Sequence, residues 1–331
     1  MKQESLLTVE NLTIGFSGNG RLEEVVSGIS FLIQPGETLG LVGESGSGKS
    51  MTAMALLQLM PAGAMASGSA LFYNKAAKPI DLLAADHETI RRIRGKEISM
   101  VFQEPFSSFN PVFTCGEQIK ETIENHGLAI GKQAKKLSLD WLAKVGLEHP
   151  SRIYSSYPHQ VSGGQLQRVM IAMALCTEPL LLIADEPTTA LDVHIQMRIL
   201  ELLNDLNKEL NLSMLFISHD LGLIPQIADR VAIIDHGLLI EENDVNTLFS
   251  CPSQERTRQL LDSRPPIDRK LHRLPCPDNG SVVAPKPEPE IKAFPQEAIL
   301  EVSNLKIVYK SGVGWFRKKE FTTAVKGISF T

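Results

Sequence analysis

The run Gly43-Glu44-Ser45-Gly46-Ser47-Gly48-Lys49-Ser50 fits the pattern G-x-x-x-x-G-K-[ST] of a phosphate-binding loop. Small residues let such a loop wind so that its backbone N–H groups point inward at phosphate oxygens. The helix that follows presents an N-terminus, where unpaired donors and the helix dipole favour negative charge. Lys49 is then placed to reach β- and γ-phosphates, with the Ser50 hydroxyl on Mg²⁺ and Met51 next in the binding stretch. Working outward, residues 38–42 read as a short buried strand. Residues 50–60, rich in Met, Ala and Leu, read as a helix ended by Pro61. Strand, loop and helix follow in the order this motif requires.

The 331 residues allow one large or two modest domains. Hydrophobic content of 43% and charged content of 21% are those of a globular chain. A net charge of −5 argues against a nucleic-acid partner, which would demand a basic excess. Cys115, Cys176, Cys251 and Cys276 lack metal-ligand spacing and read as reduced thiols of a cytoplasmic protein. No apolar run approaches the ~20 residues needed to cross a bilayer, and residues 1–5 lack the apolar core of a secretory signal. A membrane role is therefore expected to run through a partner.

Residues from about 6 to 250 alternate strand-like and helix-like segments, the pattern of an α/β domain. Residues 262–298 differ: they hold Pro265, Pro266, Pro275, Pro277, Pro285, Pro287, Pro289 and Pro295 and few large apolar residues, the composition of an extended linker. After it the chain begins again. Residues 300–307, LEVSNLKI, echo residues 7–14, LTVENLTI, and residues 325–330, VKGISF, echo residues 26–31, VSGISF. Two matched segments in the same order imply an internal repeat. The second copy reaches Thr331 just before its own phosphate loop would start, so the chain is expected to be a fragment of a tandem protein.

Chemistry is expected around a second constellation. Residues 180–184 form a continuous apolar run, as in a parallel strand buried on both faces, and end in Asp185 and Glu186. Sheets of this kind place ligands at the carboxyl ends of their strands. Asp185 is the candidate for Mg²⁺, through water, and Glu186 the candidate general base for the attacking water. Residues 193–210 carry Ile195, Ile199, Leu202, Leu203, Leu206 and Leu210 on one helical face, with Arg198, Glu201, Asp205 and Lys208 mainly on the other. Residues 213–218 then return as a strand parallel to the first, which brings His219 to the same edge as Asp185 and Glu186, beside a γ-phosphate.

Val161-Ser162-Gly163-Gly164-Gln165-Leu166-Gln167-Arg168 places a small-residue turn ahead of an apolar helix over residues 166–175, a second anion site. This segment resembles the signature motif of the ATP-binding cassette (ABC) ATPases, with Val161 where that family usually has Leu. The resemblance extends over residues 6–260. It implies that Phe16 stacks on adenine, that Gln103 is the Q-loop residue near Mg²⁺ and the γ-phosphate, that Ala190-Leu191-Asp192 is the D-loop, and that His219 is the switch histidine. The implied fold is an α/β P-loop NTPase with a RecA-like parallel sheet core, an antiparallel β subdomain and a helical subdomain at about 104–175. The first cassette then covers 1–261, and a second, truncated one starts at 299.

Ile93-Arg94-Gly95, Asn110-Pro111-Val112, the run from Gln167 to Leu175 and the run from Asp185 to Val193 are similar to the oligopeptide, dipeptide and nickel importer ATPases. The tandem arrangement resembles the fused members that energise peptide, microcin or glutathione uptake. Residues 252–258, PSQERTR, replace that group's usual Pro-x-His-Pro-Tyr-Thr-Arg. The resemblance implies ATP and Mg²⁺ as ligands. ATP is preferred over GTP because Phe16 offers a stacking face and no guanine-reading tetrapeptide is present. It also implies two membrane permease subunits and a solute-binding protein as partners, a second cassette (fused, or another copy) closing face to face on two ATP molecules, and a peripheral place on the cytoplasmic face of the inner membrane. Gln103 would couple chemistry to docking through the helical subdomain. The alternative is a soluble ABC ATPase acting on ribosomes or nucleic acid, which would need basic surfaces or long helical arms. A third possibility is a fragment that binds ATP without hydrolysing it.

Overall fold

The computed structural model of the protein describes residues 5–18, 21–74, 78–189, 191–262, 300–311 and 320–331. The Pro-rich stretch expected over 262–298, save its first residue, lies outside them, as do Ala190 and Cys276. The chain divides into two units, Met1–Pro277 and Asp278–Thr331.

In the first unit β1 (Leu7–Gly18) and β2 (Arg21–Ile33) pair as a hairpin. Strand β3 (Thr38–Val42) leads through the glycine-rich loop into α1 (Lys49–Leu56). Strands β4 (Ala64–Phe72) and β5 (Ile80–Asp81) then extend the hairpin's sheet. Next come α2 (His87–Ile93), β6 (Ile98–Val101), α3 (Pro105–Ser108), α4 (Cys115–Asn125), α5 (Gly131–Lys144), α6 (Pro150–Tyr154) and α7 (Gly163–Leu175). The unit closes with β7 (Leu181–Asp185), α8 (Val193–Leu210), β8 (Ser213–Ser218), β9 (Arg230–Asp235), β10 (Leu238–Asp244), α9 (Val245–Ser250) and α10 (Glu255–Asp262).

Two sheets result. One is antiparallel, in the order β2-β1-β4-β5; the other runs β10-β9-β3-β8-β7-β6, parallel from β9 to β6 with β10 antiparallel at its edge. The apolar runs of β7, β8 and β9 are continuous because each face of the parallel sheet is covered by a different layer. Leu182, Ala184, Met214, Phe216, Val231 and Ile233 point into a core shared with α4, α5, α7 and α8. Their neighbours Leu181, Ile183, Leu215, Ile217, Ala232 and Ile234 point into a second core shared with α1 and the antiparallel sheet. Each buried large aliphatic contributes roughly 1.5–3 kcal/mol.

The apolar stripe read in residues 193–210 packs as expected, with Ile199, Leu203 and Leu206 buried and Arg198, Glu201, Asp205 and Lys208 exposed. Two helix boundaries differ from the sequence reading. Helix α1 stops at Leu56 rather than near residue 60. Gln58 takes a left-handed φ of 49°, and the Gln58 and Leu59 N–H groups donate back to Ala55 and Met54 carbonyls. That is a Schellman closure, and it consumes the last helical carbonyls before Pro61 is reached. Helix α7 starts at Gly163, so both signature glycines belong to its first turn rather than to a turn ahead of it. Ser162 caps them: its side chain accepts from Gln165 N–H while Gln165 reaches back to the Ser162 N–H.

The second unit is a two-stranded hairpin, β11 (Val302–Ser311) with β12 (Glu320–Phe330). It repeats the pairing of the first hairpin: Val302 faces Phe330, Leu305 faces Ile328 and Ile307 faces Val325, as Val9 faces Phe31, Leu12 faces Ile29 and Ile14 faces Val26. Even the irregularity recurs. Asn11 and Asn304 both have φ of 49°, and their N–H groups donate to Ser30 Oγ at 2.9 Å and Ser329 Oγ at 2.8 Å. The environments differ. Leu12, Ile29 and Phe31 are 0%, 1% and 5% exposed, whereas Leu305, Ile328 and Phe330 are 40%, 47% and 49% exposed.

Candidate functional site

Four neighbouring parallel strands, β3, β8, β7 and β6, end on one edge of the sheet. Their register aligns Val42 with Ser218, Ile217 with Asp185 and Ala184 with Val101. The residues just beyond these ends are the glycine-rich loop, His219, Glu186 and Gln103. Topology thus gathers groups up to 176 positions apart in sequence (219 − 43) at one place.

Gly43 and Gly48 of the loop leave no room for a side chain. A Cβ on Gly43 would lie 2.0 Å from the Ile234 carbonyl oxygen and 2.7 Å from Ser47 Oγ. Gly48, with φ of 100°, is the N-cap of α1 and accepts from the Thr52 N–H at 2.9 Å. Ser47 and Lys49 are buried, whereas Glu44, Ser45 and Gly46 are exposed at the rim. Lys49 Nζ curls back over the loop and donates to the Gly43 and Glu44 carbonyls at 2.9 and 2.8 Å. Burial holds the Lys49 ammonium below its ordinary range, against the pull of Glu186, Asp185 and Glu44. A cation so poorly solvated gains by meeting an anion.

Ser50 Oγ donates to Asp185 Oδ1 at 2.9 Å, joining the first turn of α1 to the end of β7. Burial raises the Asp185 carboxyl above its usual range and Glu186 adds to this, while the Ser50 hydrogen bond and Lys49 oppose it. A hydroxyl and a carboxylate in contact form an oxygen-only pair of the kind a hard divalent cation takes, with phosphate and water oxygens completing the shell. These residues fit Mg²⁺.

Glu186 adopts a left-handed φ of 45°, fixed by its N–H donating to the Ile217 carbonyl at 3.0 Å. One of its oxygens, Oε2, is a point of convergence. It accepts from Gln103 Nε2 at 3.0 Å and from Thr189 Oγ1 at 2.8 Å, and His219 Nδ1 lies 3.0 Å away. The Glu186 side chain is 10% exposed and that of His219 is 52% exposed, so the pair connects the buried strand end to the open surface. Thr189 was not singled out from the sequence. Its signal was local: it stands three residues after Glu186, past a proline, where a turn returns its N–H to the Glu186 carbonyl at 3.1 Å.

The remaining candidates lie elsewhere. Ser162, Gly163, Gly164 and Gln165 line a cavity of about 570 Å³ together with Asp192, and residues 43–50 are not among its walls. Asp192 caps α8 by accepting from the Ile195 N–H at 3.0 Å. Phe16 is half-buried on β1, paired with Glu23 and Ala64. Met51 is half-buried in the first turn of α1. The glycine-rich loop with its acidic partners and the capped start of α7 are therefore two separate features of the unit.

The model of the ABC transporter family matches residues 26–189. The chain is 41% identical over 331 residues to an uncharacterized ABC transporter ATP-binding protein of Escherichia coli (strain K12), an alignment covering 99% of this chain and 58% of that protein. It thus spans little more than half the length of that relative. It is 44% identical over 265 residues to an oligopeptide transport ATP-binding protein of Bacillus subtilis (strain 168), covering 80% of this chain and 73% of the relative. Among solved structures, a dimeric ATP-binding cassette in a post-hydrolysis state, bound to ADP and Pi, superimposes with a TM-score of 0.63 at 28% identity, over 72% of this chain and 98% of that one. With its loop, its strand-end acids and its capped signature helix set on this sheet, the chain belongs to the ATP-binding proteins of the ABC transporter family.

Proposed function

We propose that the chain binds and hydrolyses ATP and so energises an importer of peptides or related small solutes. The observation that carries this is the Ser50–Asp185 contact, which sets the glycine-rich loop against the strand-end acids at hydrogen-bond distance. The amides of residues 44–49 and Lys49 hold the triphosphate, and Phe16 offers the adenine a stacking face. Ser50 and Asp185 hold Mg²⁺, with Gln103 beside them; the ion, when bound, offsets charge on the phosphate oxygens. The Glu186 carboxylate accepts a proton from the attacking water. Gln103, Thr189 and His219 orient that carboxylate through the contacts described above.

The separation of the loop from Ser162–Gln165 supports a two-cassette arrangement, in which each nucleotide is covered by the signature helix of a partner. Residues 299–331 are the start of a second cassette. Their hairpin reproduces the first in register, irregularity and apolar pattern, and its open apolar residues are those that the first unit buries. The helices over residues 104–175 are the docking surface for two membrane permease subunits, supplied with solute by a binding protein. No helix among the described residues is long and apolar enough to cross a membrane, and the protein works at the cytoplasmic face of the inner membrane through those subunits. The oligopeptide transport relative supports the peptide class of solute.

The test is steady-state release of inorganic phosphate from MgATP at rising protein concentration, with co-purification from membranes beside the permease subunits. Turnover that climbs more steeply than protein concentration supports paired cassettes. Absence of ATP binding, or co-purification with nucleic acid in place of permease subunits, overturns the reading.

A further inference from the structure

The loop has a clamp on its outer side that the catalytic reading does not use. Arg256, on α10, donates through Nε to Asp235 Oδ2 at 2.9 Å and through Nη2 to Asp235 Oδ1 at 3.3 Å. The same Nη2 donates to Glu44 Oε1, in the loop, at 3.2 Å. Asp235 ends β9, directly after Ile234, whose carbonyl oxygen is the surface against which Gly43 packs. One guanidinium therefore joins the loop to the strand beneath it. The Arg256 and Asp235 side chains are sheltered, 21% and 10% exposed, while that of Glu44 is 48% exposed at the rim.

The segment that carries Arg256 is itself tied down. Buried Glu241 on β10 accepts from the Ser253 N–H and hydroxyl, both at 2.8 Å, and from the Gln254 N–H at 3.1 Å. Burial of Glu241 opposes its ionisation, but these donors outweigh it and hold the carboxyl below its usual range. Helix α10 thus starts from a fixed point, and Arg256 is aimed from it. This is the stretch in which the sequence departs from the importer pattern, with Arg256 standing where that pattern has Tyr.

The electrostatic problem is plain. Glu44 puts a carboxylate on the rim of a loop whose ligand is a polyanion, and its field is felt at Lys49 alongside those of Glu186 and Asp185. Unpaired, it would repel phosphate. An Arg fork meets two carboxylates at once with little reorganisation, which a Lys point charge does not.

We propose that Arg256 is a positioning residue for nucleotide binding: by bridging Glu44 to Asp235 it fixes the phosphate-binding loop on β9 and offsets part of the carboxylate charge at its rim, so that ATP affinity depends on the C-terminal helix of the cassette. This rests on the reading that the loop binds ATP. The experiment uses the full chain with Arg256→Gln, Arg256→Lys and the double variant Glu44→Gln/Arg256→Gln, each checked for folding by thermal unfolding. KM and kcat for MgATP, and equilibrium binding of a fluorescent ATP analogue, are measured at low and high salt. Arg256→Gln is expected to raise KM and the analogue's Kd about three- to fivefold, with kcat within about twofold, as for a partly exposed charge pair. The rise should shrink as ionic strength goes from about 0.05 to about 0.5 M. The double variant should recover most of the lost affinity, and Arg256→Lys should fall between parent and Arg256→Gln. Should Arg256→Gln fail to fold, Arg256→Lys carries the same readouts. Unchanged affinity in folded variants, a loss confined to kcat, or a loss indifferent both to salt and to Glu44→Gln overturns the proposal. If the parent protein itself binds no ATP, the ATP-binding reading falls, and this inference with it.

Discussion

Gln103 Nε2 donates to Glu186 Oε2 at 3.0 Å, so a residue just past the end of β6 holds the carboxylate that stands just past the end of β7. Glu186→Gln keeps the size of this side chain and removes its basicity. Turnover is expected to fall by roughly 10²–10⁴, the usual worth of a general base, with ATP binding retained. Phosphate release and nucleotide binding measured on the same preparation check this, and near-normal hydrolysis would remove Glu186 from the role.

Gln103→Ala removes the donor but leaves the acid. A hydrogen bond to a charged group is worth about 1.5–3 kcal/mol, and Thr189 and His219 remain on the same oxygen. The expected loss is therefore smaller, about tenfold in kcat with KM little changed. A loss as deep as that of Glu186→Gln would mean that Gln103 does more than orient the carboxylate.

Lys49→Ala should weaken nucleotide binding itself by at least about tenfold, the scale of a charge-assisted contact. The pH dependence is more specific. Burial lowers the Lys49 pKa below the ordinary 10.5. The charged form, which the phosphates require, is therefore lost at lower pH than for a free lysine. ATP affinity should decline as pH rises into that lowered range, while the nucleotide-free fold is relieved of a buried charge. Binding titrations across alkaline pH, with Lys49→Ala as the flat reference, test this.

Asp185→Asn should abolish productive Mg²⁺ binding and yet raise the thermal stability of the nucleotide-free protein at neutral pH. The Asp185 carboxyl is raised above its ordinary range, first by burial and then by Glu186. A raised acid costs stability when ionised, and that cost vanishes as pH falls through the folded pKa. The melting-temperature gain of the variant should therefore be present at neutral pH and disappear toward acid pH. A variant less stable than the parent at neutral pH would contradict the sign.

Gly43→Ala tests the loop's backbone. Its Cβ would sit 2.0 Å from a strand carbonyl, so either the loop or β9 must move. A cost of about 2–4 kcal/mol is expected, in the range of overpacked or strained sites, together with loss of ATP binding. Urea unfolding reads the first and nucleotide titration the second.

Much of this site was legible in the sequence because the parallel sheet converts apolar runs into addresses. Residues 180–184 and 213–218 could only be strands covered on both faces, and a right-handed crossover through residues 193–210 then forces Asp185, Glu186 and His219 to one edge. What the pattern could not contain was the meeting of three side chains on a single oxygen of Glu186, since strand order fixes an edge but not a rotamer. The closure of α1 at Gln58 was hidden because a non-glycine residue took the left-handed position. The Arg256–Glu44 contact spans 212 positions and carries no periodicity at all.

The alignment of strand ends also sets a rule for change. One residue inserted into or removed from β3, β6, β7 or β8 would slide the group at its tip by about 3.3 Å, more than the gap between a made and a broken contact. Strand length is thus the ruler by which this machine is gauged, and variation among cassettes built this way should accumulate in the connecting turns at the opposite rim.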